Sequence, residues 1–317
     1  MTIAIIGAGI AGLSAAQALK DAGKAVHIFD KGRGPGGRMS TRRAETPLGE
    51  MRWDHGAQFF TVREPGFTDL IERLEASGAV AKWAGPYSEA CIEPRYVGTP
   101  GMNAVIRRLA DRMEVSWGKR VSAIAGMDRT FQLRFEDGDI VGPYEAVVSA
   151  VPAEQVSPLL APVAPALASE AQAVNSAPSW TLMLAFSQVL NAETGKPAGS
   201  SSIGWMAKNA SKPGRGAGET WVIQATAAWS KSHLEEDKET IAAELTREFL
   251  RLVGSPNVQP IFAAAHRWRY AFVENPTGLG ASWDADLGIG TCGDWHVGPR
   301  VECAWMSGQA LAAKMLA

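Results

Sequence analysis

Apolar residues in this chain cluster in two ways. Short apolar blocks at residues 3–6 and 26–29 read as strands, and one at 146–151, ending in proline, as a buried parallel strand. Elsewhere the period is helical: Leu13, Ala16 and Leu19; Phe67, Leu70, Ile71 and Leu74 over residues 65–77; Ile106, Leu109 and Ala110; and a long amphipathic stretch over 234–252. Three further short β runs are expected at 115–121, 130–135 and 139–141, with Asp137-Gly138 turning the last two into a hairpin. Strand patterns recur at 180–186 and 220–227, and a last helix starts near Val301.

The order of the first thirty residues is strand, glycine turn, helix, strand, acid. Gly7, Gly9 and Gly12 have the G-x-G-x-x-G spacing, and Asp30 closes the second strand. Gly7 permits a tight turn, Gly9 lets backbone approach a pyrophosphate, and Gly12 lets helix pack on strand. The free N–H groups at Ile10 and Ala11 would face the phosphates, and Asp30 would accept from the adenosine ribose. This is the layout of a dinucleotide-binding βαβ unit.

A second glycine-rich, basic loop follows, containing Lys31, Gly36, Gly37 and Arg38, suited to wrapping a long cofactor and offering its phosphates an arginine. Acid followed by G-G-R resembles the flavin-containing amine oxidase superfamily, which implies FAD. His55-Gly56-Ala57-Gln58 is too small and polar for an ordinary core strand, and Gly56-Ala57 would let a flat ring lie on the backbone. In that superfamily the β meander carries a residue whose backbone reads the adenine edge, and Val121 occupies the matching position.

The C-terminal segment supplies a second signature. Gly293-Asp294 ends a strand, placing a carboxylate for a ribityl hydroxyl, and the helix from Val301 through Glu302 and Ala304 aims its free N–H groups at the negative edge of a reduced isoalloxazine. The full set, from G-A-G-I-A-G through D-H-G-A-Q-F-F and H-R-W-R-Y-A to R-V-E-C-A-W-M-S-G, resembles bacterial renalase-like proteins over nearly the whole chain. That resemblance implies an oxidase that takes a hydride from 1,2- or 1,6-dihydro isomers of NAD(P) to flavin N5, returning NAD(P)+ and passing electrons to O2 as hydrogen peroxide. It also implies non-covalent FAD, because Met-Ser-Gly-Gln stands where thioether-linked relatives carry S-G-G-C.

Composition narrows the partners. With 31 basic and 33 acidic residues among 317 and no charge block, neither nucleic acid nor a membrane surface is an expected partner. Three scattered cysteines, Cys91, Cys292 and Cys303, lack metal spacing and suit a reducing compartment. No apolar run reaches about 18 residues and the chain opens on a strand, so a cytoplasmic protein without a signal peptide is expected. The expected fold class is α/β. Residues 1–62, 95–156 and 270–317 would form a discontinuous FAD-binding Rossmann-like domain, and 63–94 with 157–269 a substrate domain on a mainly antiparallel sheet.

No Ser/His/Asp set, carboxylate pair or metal cluster demands catalytic duty. A dihydropyridine expels its own hydride, so orientation and stacking suffice. Gln58, Tyr96, Arg267, Trp268 and Arg269 are the substrate-binding candidates, drawn from a chain with 11 Trp and only 4 Tyr. Two rivals remain open: a flavin oxidase of small amines, and a dinucleotide sensor without turnover.

Overall fold

A computed structural model describes residues 2–85 and 93–317. Cys91 lies outside the described residues. Six strands form one twisted sheet in the order Ser282–Asp284, Ile289–Thr291, Ala146–Ser149, Thr2–Ile6, Ala25–Asp30 and Glu114–Trp117, parallel throughout except at the Ser282–Asp284 edge. Ile3 to Ile6 are all buried because helices cover both faces, which is why that run is continuous rather than alternating.

Helices Ile10–Asp21 and Val301–Leu316 pack side by side on one face. Their contact is close: a Cβ on Gly308 would lie 2.2 Å from the Ala11 carbonyl oxygen. The helix Pro65–Ala76 is capped by the Glu64 carboxylate accepting from Phe67 N, and it buries Phe67, Ile71 and Leu74 in the same core. Burying Phe67 completely is worth roughly 1.5–3 kcal/mol. Helices Ala153–Leu160 and Pro165–Gln172 fill the opposite face with Ala4, Ile6 and Phe29, so residues 157–172 pack with the parallel sheet.

A three-stranded meander, Val121–Met127, Thr130–Phe135 and Ile140–Tyr144, stands beside this sheet. Its middle strand alternates exposed and buried, as a one-sided antiparallel strand does. The run expected over 115–121 is two strands: Glu114–Trp117 ends the parallel sheet, Gly118 turns at φ +75°, and Val121 opens the meander. Asp128 and Arg129 make the first hairpin turn at φ 52° and 57°, values that any residue but glycine adopts at a cost.

A four-stranded antiparallel sheet, ordered Ile203–Lys208, Glu219–Ala225, Ser176–Phe186 and Phe262–Val273, roofs the cleft. The last strand runs through residues 269 and 270 unbroken. On its outer face lies the helix Lys238–Leu252, burying Ile241, Leu245 and Phe249 against Trp180 and Trp221. That helix begins four residues later than its periodicity suggests, because Asp237 caps Thr240 N and Leu234–Glu236 belong to the preceding turn.

Candidate active site

The glycine turn is built as its spacing requires. Gly7 adopts φ +108° and donates to the Phe29 carbonyl at 2.8 Å, joining the two strand ends. A Cβ on Gly12 would lie 2.0 Å from the Gly7 oxygen, so only glycine fits there. Gly9 precedes the helix with no side-chain cap, leaving the first-turn N–H groups at Ile10 and Ala11 facing the cleft. Asp30 lines the cleft while accepting from Ala8 N at 2.7 Å and Gly32 N at 2.6 Å. It therefore ties down the turn, and keeps acceptor capacity for a ribose.

At the other end, Arg38 reaches across the molecule. Its two terminal nitrogens fork the Asp294 carboxylate at 2.7 and 2.6 Å. The guanidinium is thus committed to Asp294 and is not a free phosphate ligand; its backbone carbonyl holds Ala57 N at 2.8 Å. Gly56 must be glycine, since a Cβ would lie 2.0 Å from that same carbonyl. The helix Val301–Leu316 has no side-chain cap at Arg300 and turns Val301 and Ala304 to the cleft. Glu302 points elsewhere: its buried carboxylate accepts from Arg63 N and Glu64 N at 2.6 and 2.8 Å, pinning that loop.

The cleft consists of two cavities of about 840 and 330 Å³ that share Gly9, Arg38, Ala150, Val151 and Trp268 as walls. The larger is polar at its far end, where Asp30, Lys31 and Val121 line it. A bulge between Val121 and Ala123 interrupts the ladder there and leaves backbone for a ligand. Lys31 reaches the Gln155 side chain at 3.0 Å. The smaller cavity is walled by Ala57, Phe59, Trp205, Gln224 and Trp268.

Of the substrate candidates, Trp268 lines both cavities, with Nε1 donating to the His55 carbonyl at 2.7 Å. Gln58 lines the smaller cavity, but its amide is consumed: Nε2 donates to the Asp54 and Gly56 carbonyls and Oε1 accepts from Lys212 at 3.0 Å. Tyr96 stacks on Phe60 at 6.0 Å and lines neither cavity. Arg267 and Arg269 both bind Glu235 at the rim of the larger cavity. His55 likewise lies on the larger cavity, 4.8 Å from the His266 ring. Ser179, Trp205 and Gln224 were not foreseen. Gln224 Nε2 donates to the Gly56 carbonyl at 2.9 Å, making it a second amide that holds the Gly56–Ala57 stretch.

Behind that stretch lies a buried ion cluster. Asp54 is fully buried and accepts from Thr41 Oγ1, Met102 N, Lys212 and Arg215. Burial pushes its carboxyl up, yet Lys212, Arg215 and the Met102 N–H outweigh this and hold it below the usual range. Burial lowers Lys212 to about 8 despite Asp54. Burial also lowers His55 to about 3, helped by His266 and Arg42.

A cleft of two adjoining cavities, walled by two uncapped helix N-termini, by glycine backbone and by aromatic rings, fits a flavin dinucleotide. The family model described as flavin containing amine oxidoreductase matches residues 82–316, and that of an NAD(P)-binding Rossmann-like domain matches residues 5–74. The chain belongs to the flavin-containing amine oxidoreductase family. Membership implies a flavin cofactor and an oxidoreductase activity. Among solved structures, the chain is similar to a putative protoporphyrinogen oxidase from Exiguobacterium sp. 255-15, with TM-score 0.75 and 14% identity over 99% of this chain and 98% of that one. It is similar as well to wild-type putrescine oxidase bound to putrescine, with TM-score 0.70 and 15% identity over 100% of this chain and 99% of that one. At such identities the likeness is one of fold. No helix among the described residues is long and apolar enough to cross a membrane.

Proposed function

We propose that this flavin enzyme oxidises dihydro-NAD(P) isomers carrying the hydride at the 2- or 6-position of the ring, yielding NAD(P)+ and, with O2, hydrogen peroxide. FAD, when bound, supplies the hydride-accepting N5 and the route to oxygen. The carrying observation is the character of the smaller cavity. Among the described residues its one acidic wall residue, Asp294, is forked by Arg38, and no histidine or lysine lines it. The chamber therefore offers, among the described residues, no free base to strip a proton and no free carboxylate to seat an ammonium. It offers flat faces in Phe59, Trp205 and Trp268 and a backbone held still by two glutamine amides. Such a site orients a planar ring whose own nitrogen drives hydride loss.

The cofactor is proposed to be held without a covalent bond. Cys292 and Cys303 are buried free thiols that line neither cavity, and burial pushes Cys292 up to about 12, which suppresses its thiolate. Ile10 and Ala11 would face the pyrophosphate, Val121 the adenine, and Val301 and Ala304 the flavin ring.

The amine reading stays the rival, since the family includes amine oxidases by description. Anaerobic titration of the purified yellow protein separates them. Bleaching by borohydride-reduced NAD+ but not by authentic 1,4-NADH or putrescine, with peroxide on readmitting air, is expected. Bleaching by an amine alone would sink the proposal, and stable flavin with no turnover of either class would leave a sensor.

A further inference from the structure

Against two rings of the smaller cavity's aromatic wall stands a half-buried cation, Arg95, which lines neither cavity itself and which the reading above does not use. Arg95 precedes the short strand Tyr96–Gly98, and reciprocal hydrogen bonds between Phe60 and Tyr96, at 2.9 and 2.8 Å, fix it beside the 59–60 stretch. Its guanidinium carbon lies 4.6 Å from the Phe59 ring centre and 5.8 Å from that of Trp205. Those two rings, 5.7 Å apart, both line the cavity. Arg95 Nη1 and Trp205 Nε1 are buried, and neither has a hydrogen-bond partner among the described residues.

The arginines that line the two cavities are each answered by a carboxylate, Arg120 by Glu136 among them, and so are two that stand behind the site. Arg38 has Asp294, Arg63 has Glu93, Arg215 has Asp54, Arg300 has Glu302, and Arg267 and Arg269 share Glu235. Arg95 has none among the described residues. A guanidinium partly removed from water without an anion is costly to keep, and two rings supply only part of what a carboxylate would.

Nor is the charge cancelled from behind. Trp83 packs 6.2 Å from Phe59, and Lys212 Nζ lies 5.5 Å from the Trp83 ring. Lys212 and Arg215 share a single carboxylate, Asp54, so this cluster adds positive charge behind the same wall. A low-dielectric wall with a cationic excess attracts anions and repels ammonium groups.

We propose that Arg95, held on Phe59 and Trp205 at the edge of that wall, receives a phosphate oxygen of the substrate and so sets the preference for phosphorylated pyridine nucleotides over cationic amines. The fork of a guanidinium matches phosphate oxygens, and the stacked rings pre-orient it. This assignment rests on the dinucleotide reading and names the group that recognises it.

The test is equilibrium binding to the flavin-loaded protein, read by calorimetry and by perturbation of the visible spectrum. NAD+ is compared with nicotinamide riboside, which has the same ring and no phosphate, for wild type, R95M and R95K. Wild type is expected to favour NAD+ at least tenfold, less so at high salt. R95M should lose at least tenfold for NAD+ and under twofold for the riboside, and R95K should fall between because a lysine keeps the charge without the fork. Unchanged NAD+ affinity in R95M with wild-type flavin content and melting temperature overturns the Arg95 assignment and leaves the dinucleotide reading standing. Absence of binding of either ligand to wild type, with bleaching by amines, overturns both. If R95M does not fold, an R95K affinity for NAD+ equal to wild type in high and low salt overturns the assignment.

Discussion

Arg38 and Asp294, 256 residues apart, form a two-pronged ion pair at 2.7 and 2.6 Å that ties the second glycine loop to the C-terminal flavin signature. The carboxylate is 9% exposed and the guanidinium 34%, so the pair is only partly shielded. It orients both cleft-lining segments at once, since the Arg38 carbonyl also holds Ala57. Asp294→Asn keeps the shape and removes the charge. The expected cost is about 1–3 kcal/mol, less than for a fully buried pair because water screens the arginine. Flavin affinity should fall at least tenfold, measured as the cofactor fraction retained on gel filtration. Full retention with unchanged affinity would show that the pair does not shape the site.

Asp54 lies deeper, with Lys212 and Arg215 both leaning on it. Asp54→Asn would leave two buried cations without an anion, and about 3–5 kcal/mol of stability should be lost in a urea titration. The paired cations also leave a signature at alkaline pH. Lys212 sits near 8 in the fold, below its value in the unfolded chain. Between those values the unfolded state binds the extra proton, so this residue's contribution raises stability as pH climbs from about 8 toward about 10.4. K212M should flatten that rise relative to wild type in urea midpoints taken across the interval. Identical slopes would mean that Lys212 does not titrate there.

What could be read in the sequence and what could not divide along a physical line. Gly7, Gly12 and Gly56 act through contacts their own backbone makes, and such local geometry leaves a mark in residue order. The helix Pro65–Ala76 was legible for the same reason, its face being written at helical spacing. Arg267 and Arg269 looked free because nothing nearby in the chain answers them, but the fold brings Glu235 to both. Trp205 was missed with its whole strand, Ile203–Lys208, where one face is only half-buried and the apolar alternation is weak. Arg95 left no signal at all, since its significance is the partner it lacks. Gln224 leaves a faint one, a lone amide ending the apolar run Trp221 to Ile223.

Acid should unfold the protein through its histidines as well as its carboxylates. Burial lowers His55 to about 3, His266 to about 4 and His296 to about 3, so each is neutral in the fold where the unfolded chain would carry a proton. The unfolded state therefore binds more protons from about pH 6.5 downward, and stability present above that value is lost as pH falls toward 4 and 3. Urea midpoints should already decline between pH 6.5 and 5, before most carboxylates titrate. His296→Asn should shallow that decline if its other contacts persist. A flat profile above pH 5 would place the loss on the carboxylates alone.

Two glycines on the same helix pair separate a structural duty from a ligand-facing one. Gly308 lies in the contact between helices Ile10–Asp21 and Val301–Leu316, where a Cβ would stand 2.2 Å from the Ala11 oxygen and 2.8 Å from Ser14 Cβ. Gly308→Ala must push the helices apart, and overpacking of that kind costs about 1–3 kcal/mol. Gly9 has φ −74°, and a Cβ there would meet no protein atom within 4 Å. Gly9→Ala should therefore change stability by under about 1 kcal/mol, the loss of a glycine helix cap included. Its methyl group would project at the mouth of the first helix, where the pyrophosphate is proposed to lie, and flavin affinity should drop at least tenfold. Thermal melts of cofactor-stripped protein and flavin titrations on the same samples give the comparison: G308A should fail mainly in the first and G9A mainly in the second. Equal losses in both assays for G9A would mean that the turn, and not the ligand, requires that glycine.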